Sequence, residues 1–179
     1  HGYASLSDYD TNGFSEPSEF FLVMSCLFYF FIGLFYLRKI LRLNFSELVT
    51  AVTMISVVMG TNLFYYVIEE SAMSHAYSFS LIACFIYQSI NWINSGTLKR
   101  AIYIGLLGGL ITLIRPANIL IFLFPLLYGV FTKKLFVSRL QFFITNWKHI
   151  IVIACISFAV LLPQLIYWKY VTGSWLFNS

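Results

Sequence analysis

Charged residues are scarce in this sequence, which excludes an ordinary soluble domain. Only 10% of the 179 residues are Asp, Glu, Lys or Arg, whereas 60% are hydrophobic and 20% are aromatic. A globular chain carries about 25% charged residues, so this chain cannot cover itself with polar surface and is assigned to the integral membrane proteins. The net charge of +4 is not interpreted as a nucleic-acid footprint, and no nucleic-acid partner is expected.

Motifs for several kinds of chemistry are also missing. Cys26, Cys84 and Cys155 each lie inside an apolar run, and no CxxC or Cys/His cluster indicates a disulfide framework or a zinc site. There is no Gly-rich phosphate loop and no GxSxG nucleophile motif. The sequence predicts no definite cofactor, and a divalent metal is left open.

The apolar residues form six segments after an acidic start. Residues 1–19 predict an outer acidic loop, and residues 20–179 predict a transmembrane helical domain that is part of a larger membrane domain. The six segments run about 20–37, 48–68, 76–92, 101–114, 117–131 and 149–168. A span needs roughly 20 apolar residues, so the fourth and fifth are short. The predicted fold is an all-α polytopic transmembrane bundle of about six spans, in which the short fourth and fifth form a hairpin turning at Arg115-Pro116.

The distribution of basic residues predicts the orientation of these spans. Nine of the eleven basic residues follow the first, third and fifth spans. The positive-inside rule makes that side cytoplasmic. Six of the seven acidic residues fall on the opposite side, and Glu47 is the exception. Both ends of the chain are then expected on the outer side, and the chain, which starts at His1, is expected to be a piece of a larger protein.

The stretch 61–78, "TNLFYYVIEESAMSHAYS", places three titratable groups in the short outer turn between spans two and three. Glu69, Glu70 and His75 could line a site, because a carboxylate near a low-dielectric boundary can act as a base or bind a sugar hydroxyl or metal. The alternative is that the two glutamates only solvate the turn. The spacing is not HExxH, so it does not by itself predict a metal site.

Two basic residues, Arg115 and Lys169, lie on the outer side at the membrane boundary. Arginine binds phosphate through a bidentate fork and lysine binds it as a point charge, so the pair predicts a phosphate site. The alternative is that both side chains extend to lipid headgroups.

Three stretches resemble a known family. They are "TNLFYYVIEESAMSHAYSF", "GLLGGLITLIRPANIL" and "LPQLIYWKYVTGSWLFNS". They are similar to bacterial polytopic glycosyltransferases of the GT-C superfamily, in the branch of the protein O-mannosyltransferases and the aminoarabinose transferase of lipid A. The resemblance covers residues 61–179 in order.

The resemblance implies an enzyme that takes a sugar from a polyprenyl-phosphate carrier, normally without a nucleotide-sugar. The acceptor would be a lipid, a glycan or a protein on the outer face of the membrane. The expected location is the bacterial inner membrane, with both ends of this piece on the periplasmic side.

The resemblance also assigns roles to residues. Glu70 and His75 match the Glu and His of the family's outer turn and are predicted as supporting catalytic residues. The main catalytic acid is expected upstream of His1, with Asp8 and Asp10 as further candidates. The predicted substrate-binding residues are Arg115, Lys169, Asn118, Glu69 and Tyr167. Ser71 departs from the proline frequent in relatives, which predicts a less rigid turn.

Two other classes of protein stay open at this point. A transporter or lipid-linked flippase subunit would carry ionisable residues near the middle of the membrane, whereas here they gather at its outer boundary. A non-enzymatic polytopic assembly protein would use the same charges only to mark its loops.

Overall fold

The computed structural model describes residues 16–175, and every regular element in that range is a helix. The elements are α1 (Glu16–Leu41), α2 (Glu47–Gly60), α3 (Leu63–Ile68), α4 (His75–Ser95), α5 (Leu98–Ile114), a 3₁₀ helix (Pro116–Leu123), α6 (Phe124–Leu127), α7 (Lys133–Thr145) and α8 (Trp147–Thr172). The all-α prediction is therefore confirmed for the described residues. Of the predicted acidic loop, residues 1–15 lie outside the described range, and residues 16–19 belong to α1.

Two helices are long and apolar enough to cross a membrane, Ser18–Leu41 and Trp147–Thr172. Few of their residues are buried within the folded chain, at 17% and 6% of the most apolar window. Their apolar side chains therefore face outward, which a core helix of a soluble protein would avoid. Length and composition thus support the first and last of the six predicted spans.

The described chain forms two compact units, and the boundary between them follows Ala83 inside α4. Each unit is described by itself. In the first unit, the connection from α1 to α2 is held by charge. Glu47 Oε1 lies 3.1 Å from Arg38 Nη2 and 3.1 Å from Arg42 Nε. Glu47, the acidic residue that is the exception to the predicted sidedness, is therefore the partner of two arginines that the sequence predicts on the cytoplasmic side.

The second predicted span, 48–68, is interrupted. Thr61 Oγ1 donates to the Val57 carbonyl at 2.6 Å and accepts from the Leu63 N–H at 3.2 Å. Such side-chain bonds to the backbone compete with helix propagation, so α2 ends at Gly60 and α3 starts at Leu63. The 14 residues of α2 cover about 21 Å, which is less than a hydrocarbon core of about 30 Å.

The core of the first unit joins α1 to the two helices on either side of the 69–74 turn. Cys26 and Phe30 of α1 are buried together with Val67 of α3 and Ala76 of α4. This packing fixes both ends of residues 69–74 and so positions the turn between α3 and α4.

In the second unit, α5 packs closely against α8 through Gly105 and Gly109. A Cβ at Gly105 would lie 3.0 Å from the Ile153 carbonyl oxygen, and one at Gly109 would lie 2.8 Å from Val160 Cβ. Ser157 Oγ donates to the Gly105 carbonyl at 2.9 Å across this contact. Gly105 and Gly109 have GxxxG spacing, which permits such a close approach of two helices. The contacts advance in the same direction along both helices, so α5 and α8 run parallel.

The chain reverses at Arg115-Pro116, as the sequence predicts. Arg115 is extended, with φ −145° and ψ 115°, because the residue before a proline is disfavoured in the α region. Pro116 then starts the 3₁₀ helix, and the Phe122 ring packs over Gly108 of α5. The returning segment is not one α-helix, since the 3₁₀ helix passes into the short α6 at Phe124.

Candidate functional site

The 69–74 turn holds the predicted supporting carboxylates in the first unit. The Glu69 N–H donates to the Tyr65 carbonyl at 2.8 Å, and the Met73 N–H donates to the Glu70 carbonyl at 2.8 Å. The backbone therefore closes the turn without using either carboxylate. Glu69 is exposed and Glu70 is half-buried. Within residues 16–175 neither carboxylate forms an ion pair.

His75 is the first residue of α4 and stacks on Tyr66 of α3. The ring centroids are 3.9 Å apart and the planes are tilted by 21°. The stack covers one face of the imidazole and leaves the two ring nitrogens at its edge. Tyr66 is not among the predicted site residues, and in the structure its stacked ring orients His75. Asp8 and Asp10, the other acidic candidates, lie outside the described residues.

In the second unit, Arg115 lies at the turn between α5 and the 3₁₀ helix. Its N–H donates to the Ile111 carbonyl at 3.2 Å, and its carbonyl accepts from the Asn118 N–H at 2.9 Å. The backbone of Arg115 thus builds the turn, and its side chain is exposed. Asn118, half-buried beside it, is brought close by this backbone bond.

Lys169 lies in the last turn of α8 and has a structural role. Its Nζ donates to the Gly173 carbonyl at 2.7 Å and lies 5.7 Å from the centre of the Trp175 ring. Gly173 has φ 73° and ends α8 in the left-handed conformation that favours glycine. The ammonium has three donor hydrogens, so this bond leaves two for another acceptor. Tyr167 is exposed on the same turn of α8.

The parallel packing of α5 and α8 carries Arg115 and Lys169 to the same end of the helix pair. Gly109 lies against Ser157 and Val160. Arg115 lies six residues after Gly109. Six residues after Ser157 and Val160, α8 reaches residues 163–166, about one helical turn before Lys169. The two cations that the sequence assigns to the phosphate site are therefore brought to one end of the second unit.

An apolar groove of about 370 Å³ lies between α5, the 3₁₀ helix and α8. Its walls include Phe122, Ile153 and Phe158. Two of its lining residues, Thr112 and Ile119, stand close to Arg115 in the chain, on the two arms of the reversal. The groove therefore ends beside the Arg115 turn. The sequence alone does not predict this groove, because its lining residues are ordinary ones for a membrane span.

The second unit contains basic residues and no acidic ones. All seven acidic residues of the chain lie at or before Glu70, whereas eight of the eleven basic residues lie after Ala83. Cations here bond to neutral acceptors. Arg100 Nη1 donates to Gln88 Oε1 at 2.7 Å. Arg139 Nη2 donates to the Tyr128 carbonyl at 2.8 Å. Neutral acceptors satisfy the N–H groups but do not cancel the charge, so the unit attracts anions.

Metal ligands are not assembled in the described part of the chain. Among residues 16–175, no group of three or more His, Cys, Asp or Glu side chains could hold a metal ion. No family model, curated protein or solved structure matches the chain.

Proposed function

We propose that this chain forms part of a membrane glycosyltransferase that moves a sugar from a polyprenyl-phosphate donor to an acceptor on the outer face of the membrane. The observation that carries the proposal is the apolar groove of the second unit, which ends beside Arg115 at the end of the helix pair that also bears Lys169. A groove for an apolar chain next to two cations matches a lipid whose headgroup is a phosphate.

The chemistry follows from the donor. A base takes the proton of an acceptor hydroxyl, whose oxygen attacks the anomeric carbon of the sugar. The bond from that carbon to the phosphate oxygen breaks, and its electron pair leaves with the polyprenyl phosphate. Arg115 and Lys169 stabilise the negative charge that grows on this leaving group. Glu70 and His75 have supporting roles in this proposal, as the family resemblance implies.

The proposal includes the finer membrane arrangement. The chain would cross the bacterial inner membrane six times, with α2 and α3 together forming the second crossing. The 69–74 turn and Arg115 would then face the periplasm, where lipid-linked sugars are used.

The decisive experiment measures binding of a radiolabelled polyprenyl phosphate to the full-length protein in detergent. This probe is the product of every transfer from such a donor, so neither the sugar nor the acceptor has to be known. Charge-assisted hydrogen bonds contribute about 1.5–3 kcal/mol, so Arg115→Ala is expected to weaken binding by roughly tenfold or more. Arg115→Lys keeps the charge but loses the bidentate fork, and is expected to bind with intermediate affinity.

Lys169 needs a control for its structural role. Lys169→Ala removes both the cation and the bond to Gly173, whereas Gly173→Ala disturbs the helix end and keeps the cation. The proposal expects weak binding from Lys169→Ala and near-normal binding from Gly173→Ala. Wild-type binding and wild-type sugar transfer by both Arg115→Ala and Lys169→Ala would exclude the phosphate site.

A further inference from the structure

Helix α7 carries a second, unassigned surface. One face of α7 packs inside the second unit, where the Phe142 and Phe143 ring centroids lie 5.1 Å and 5.7 Å from that of the buried Trp92. Arg139 anchors the same face through its bond to the Tyr128 carbonyl. Partial burial lowers the pKa of the Arg139 guanidinium, and the nearby Tyr128 raises it. This face therefore packs within the second unit.

The face of α7 that borders this packed face is apolar and exposed. Phe136, Leu140 and Ile144 follow one another at intervals of four residues, and Val137 lies beside them, so the four form one stripe along the helix. Ile144 is 72% exposed and Val137 is 53% exposed. An exposed apolar stripe on a helix that also carries lysines is typical of helices lying in a membrane interface.

The position of α7 in the chain places it next to a helix that can span a membrane. Only Asn146 separates α7 from α8, and α8 is one of the two helices long and apolar enough to span a membrane. Trp147 at the start of α8 is 54% exposed, and Lys148 Nζ lies 6.0 Å from the centre of its ring. Tryptophan and lysine at the end of a span mark the level of the lipid headgroups. The C-terminal end of α7 is therefore at that level.

The charges around the stripe complement an anionic surface. Lys133 and Lys134 start α7 and are exposed, and Lys148 follows its other end. Lysines in the first turn oppose the helix dipole, yet Thr132 caps the helix here by accepting from the Leu135 N–H at 3.3 Å. No acidic residue follows Glu70 in the sequence, so no carboxylate of this unit offsets the three lysines.

We propose that α7 is an interfacial helix that binds the anionic lipid surface on the cytoplasmic side. Phe136, Val137, Leu140 and Ile144 enter the boundary between headgroups and acyl chains. Lys133, Lys134 and Lys148 contact the lipid phosphates. This binding surface is independent of sugar transfer, and its cytoplasmic side rests on the membrane arrangement included in the proposed function.

The test follows the position of α7 in the full chain, reconstituted in vesicles. Cys26, Cys84 and Cys155 are replaced by alanine, and a fluorophore is attached to Leu140→Cys on the apolar stripe or to Gln141→Cys on the polar side. We expect a quencher on the upper acyl chain to act several-fold more strongly on the label at 140, and aqueous iodide to act more strongly on the label at 141. Equal quenching of both labels by iodide would overturn the proposal.

A second measurement tests the anionic headgroups. Vesicles of phosphatidylcholine alone are compared with vesicles that also contain phosphatidylglycerol, and lipid quenching at position 140 is expected to rise with the anionic lipid. A lysine near an anionic surface contributes about 1 kcal/mol, so Lys134→Gln should weaken this dependence about fivefold. Lys99→Gln, an equal charge change at another exposed lysine of the unit, should leave it unchanged. Equal loss in both variants, or no dependence on phosphatidylglycerol, would overturn the assignment of the lysines.

Discussion

The two units of this protein differ in the acceptors that their basic side chains contact. In the first unit, Arg38 and Arg42 pair at the surface with the carboxylate of Glu47, so their charge is partly neutralised. In the second unit, Arg100, Arg139 and Lys169 bond to an amide or a backbone carbonyl. These acceptors orient the cations and leave their charge in place.

This difference explains why both proposals concern the second unit. A cation whose N–H groups are held by neutral oxygens is fixed in position and still attracts phosphate. Lys169 near the apolar groove is such a cation, because its ammonium is held by the Gly173 carbonyl. The first unit instead contributes carboxylates, of which Glu69 and Glu70 lie in a turn whose backbone does not need them.

The largest expected effect concerns the side of the membrane on which these charges lie. In a protein without its native cysteines, Glu70→Cys should react with an impermeant thiol reagent added outside intact cells, because it represents the acidic outer turn. Lys134→Cys should react only after the membrane is opened, because it represents the basic inner surface. Labelling of both positions from outside would contradict the proposed topology.

A smaller effect concerns how each unit packs its glycines. Gly109→Ala should reduce the free energy of unfolding by about 1–3 kcal/mol, because the new methyl group meets Val160 Cβ and the α8 backbone, which cannot move independently. Gly33→Ala in the first unit should cost less, since its nearest neighbour is the edge of the Phe79 ring. Gly60→Ala is the matched control, because a Cβ there has no neighbour within 4 Å among the residues described. Thermal unfolding in detergent would compare the three, and equal losses would contradict the packing difference.

The smallest effect tests the charge contrast directly. Glu47→Gln should cost at most about 1 kcal/mol, because the pair is exposed and screened by solvent, and the loss should vanish at about 1 M salt, where the Debye length is about 3 Å. Arg100→Met should cost about 1 kcal/mol at any salt concentration, because its partner is a neutral amide. Thermal unfolding across a salt series measures both. A salt-independent Glu47→Gln effect would show that the first unit does not use the pair as an ion pair.

The features that were predictable from the sequence are those that depend on local chemistry. Pro116 favours an extended residue before it and tolerates a helix after it, so the reversal at Arg115 could be predicted from the sequence. The GxxxG spacing of the α5 glycines is likewise a local pattern that favours a close helix contact.

Features that depend on competing hydrogen bonds or on contacts between distant residues could not be predicted from the sequence. The apolar run 48–68 gives no sign of the helix break at Thr61, because that break depends on one hydroxyl that bonds to the backbone. The stack of Tyr66 on His75 depends on how α3 and α4 are packed against α1. The groove near Arg115 requires α8, which lies far along the chain from α5 and the 3₁₀ helix. The assignment of Glu70, His75, Arg115 and Lys169 to a reaction stays a prediction until the binding experiment is done.

The glycine contact between α5 and α8 has a consequence for the biosynthesis of the protein. Gly105 and Gly109 are covered by Ile153, Ser157 and Val160, which leave the ribosome well after α5 does. During that interval α5 exposes a small-residue surface without its partner, and the Gly105 carbonyl has not yet met the hydroxyl of Ser157. Formation of this contact therefore waits for α8, and a chain cut short before α8 would leave the small-residue surface of α5 uncovered.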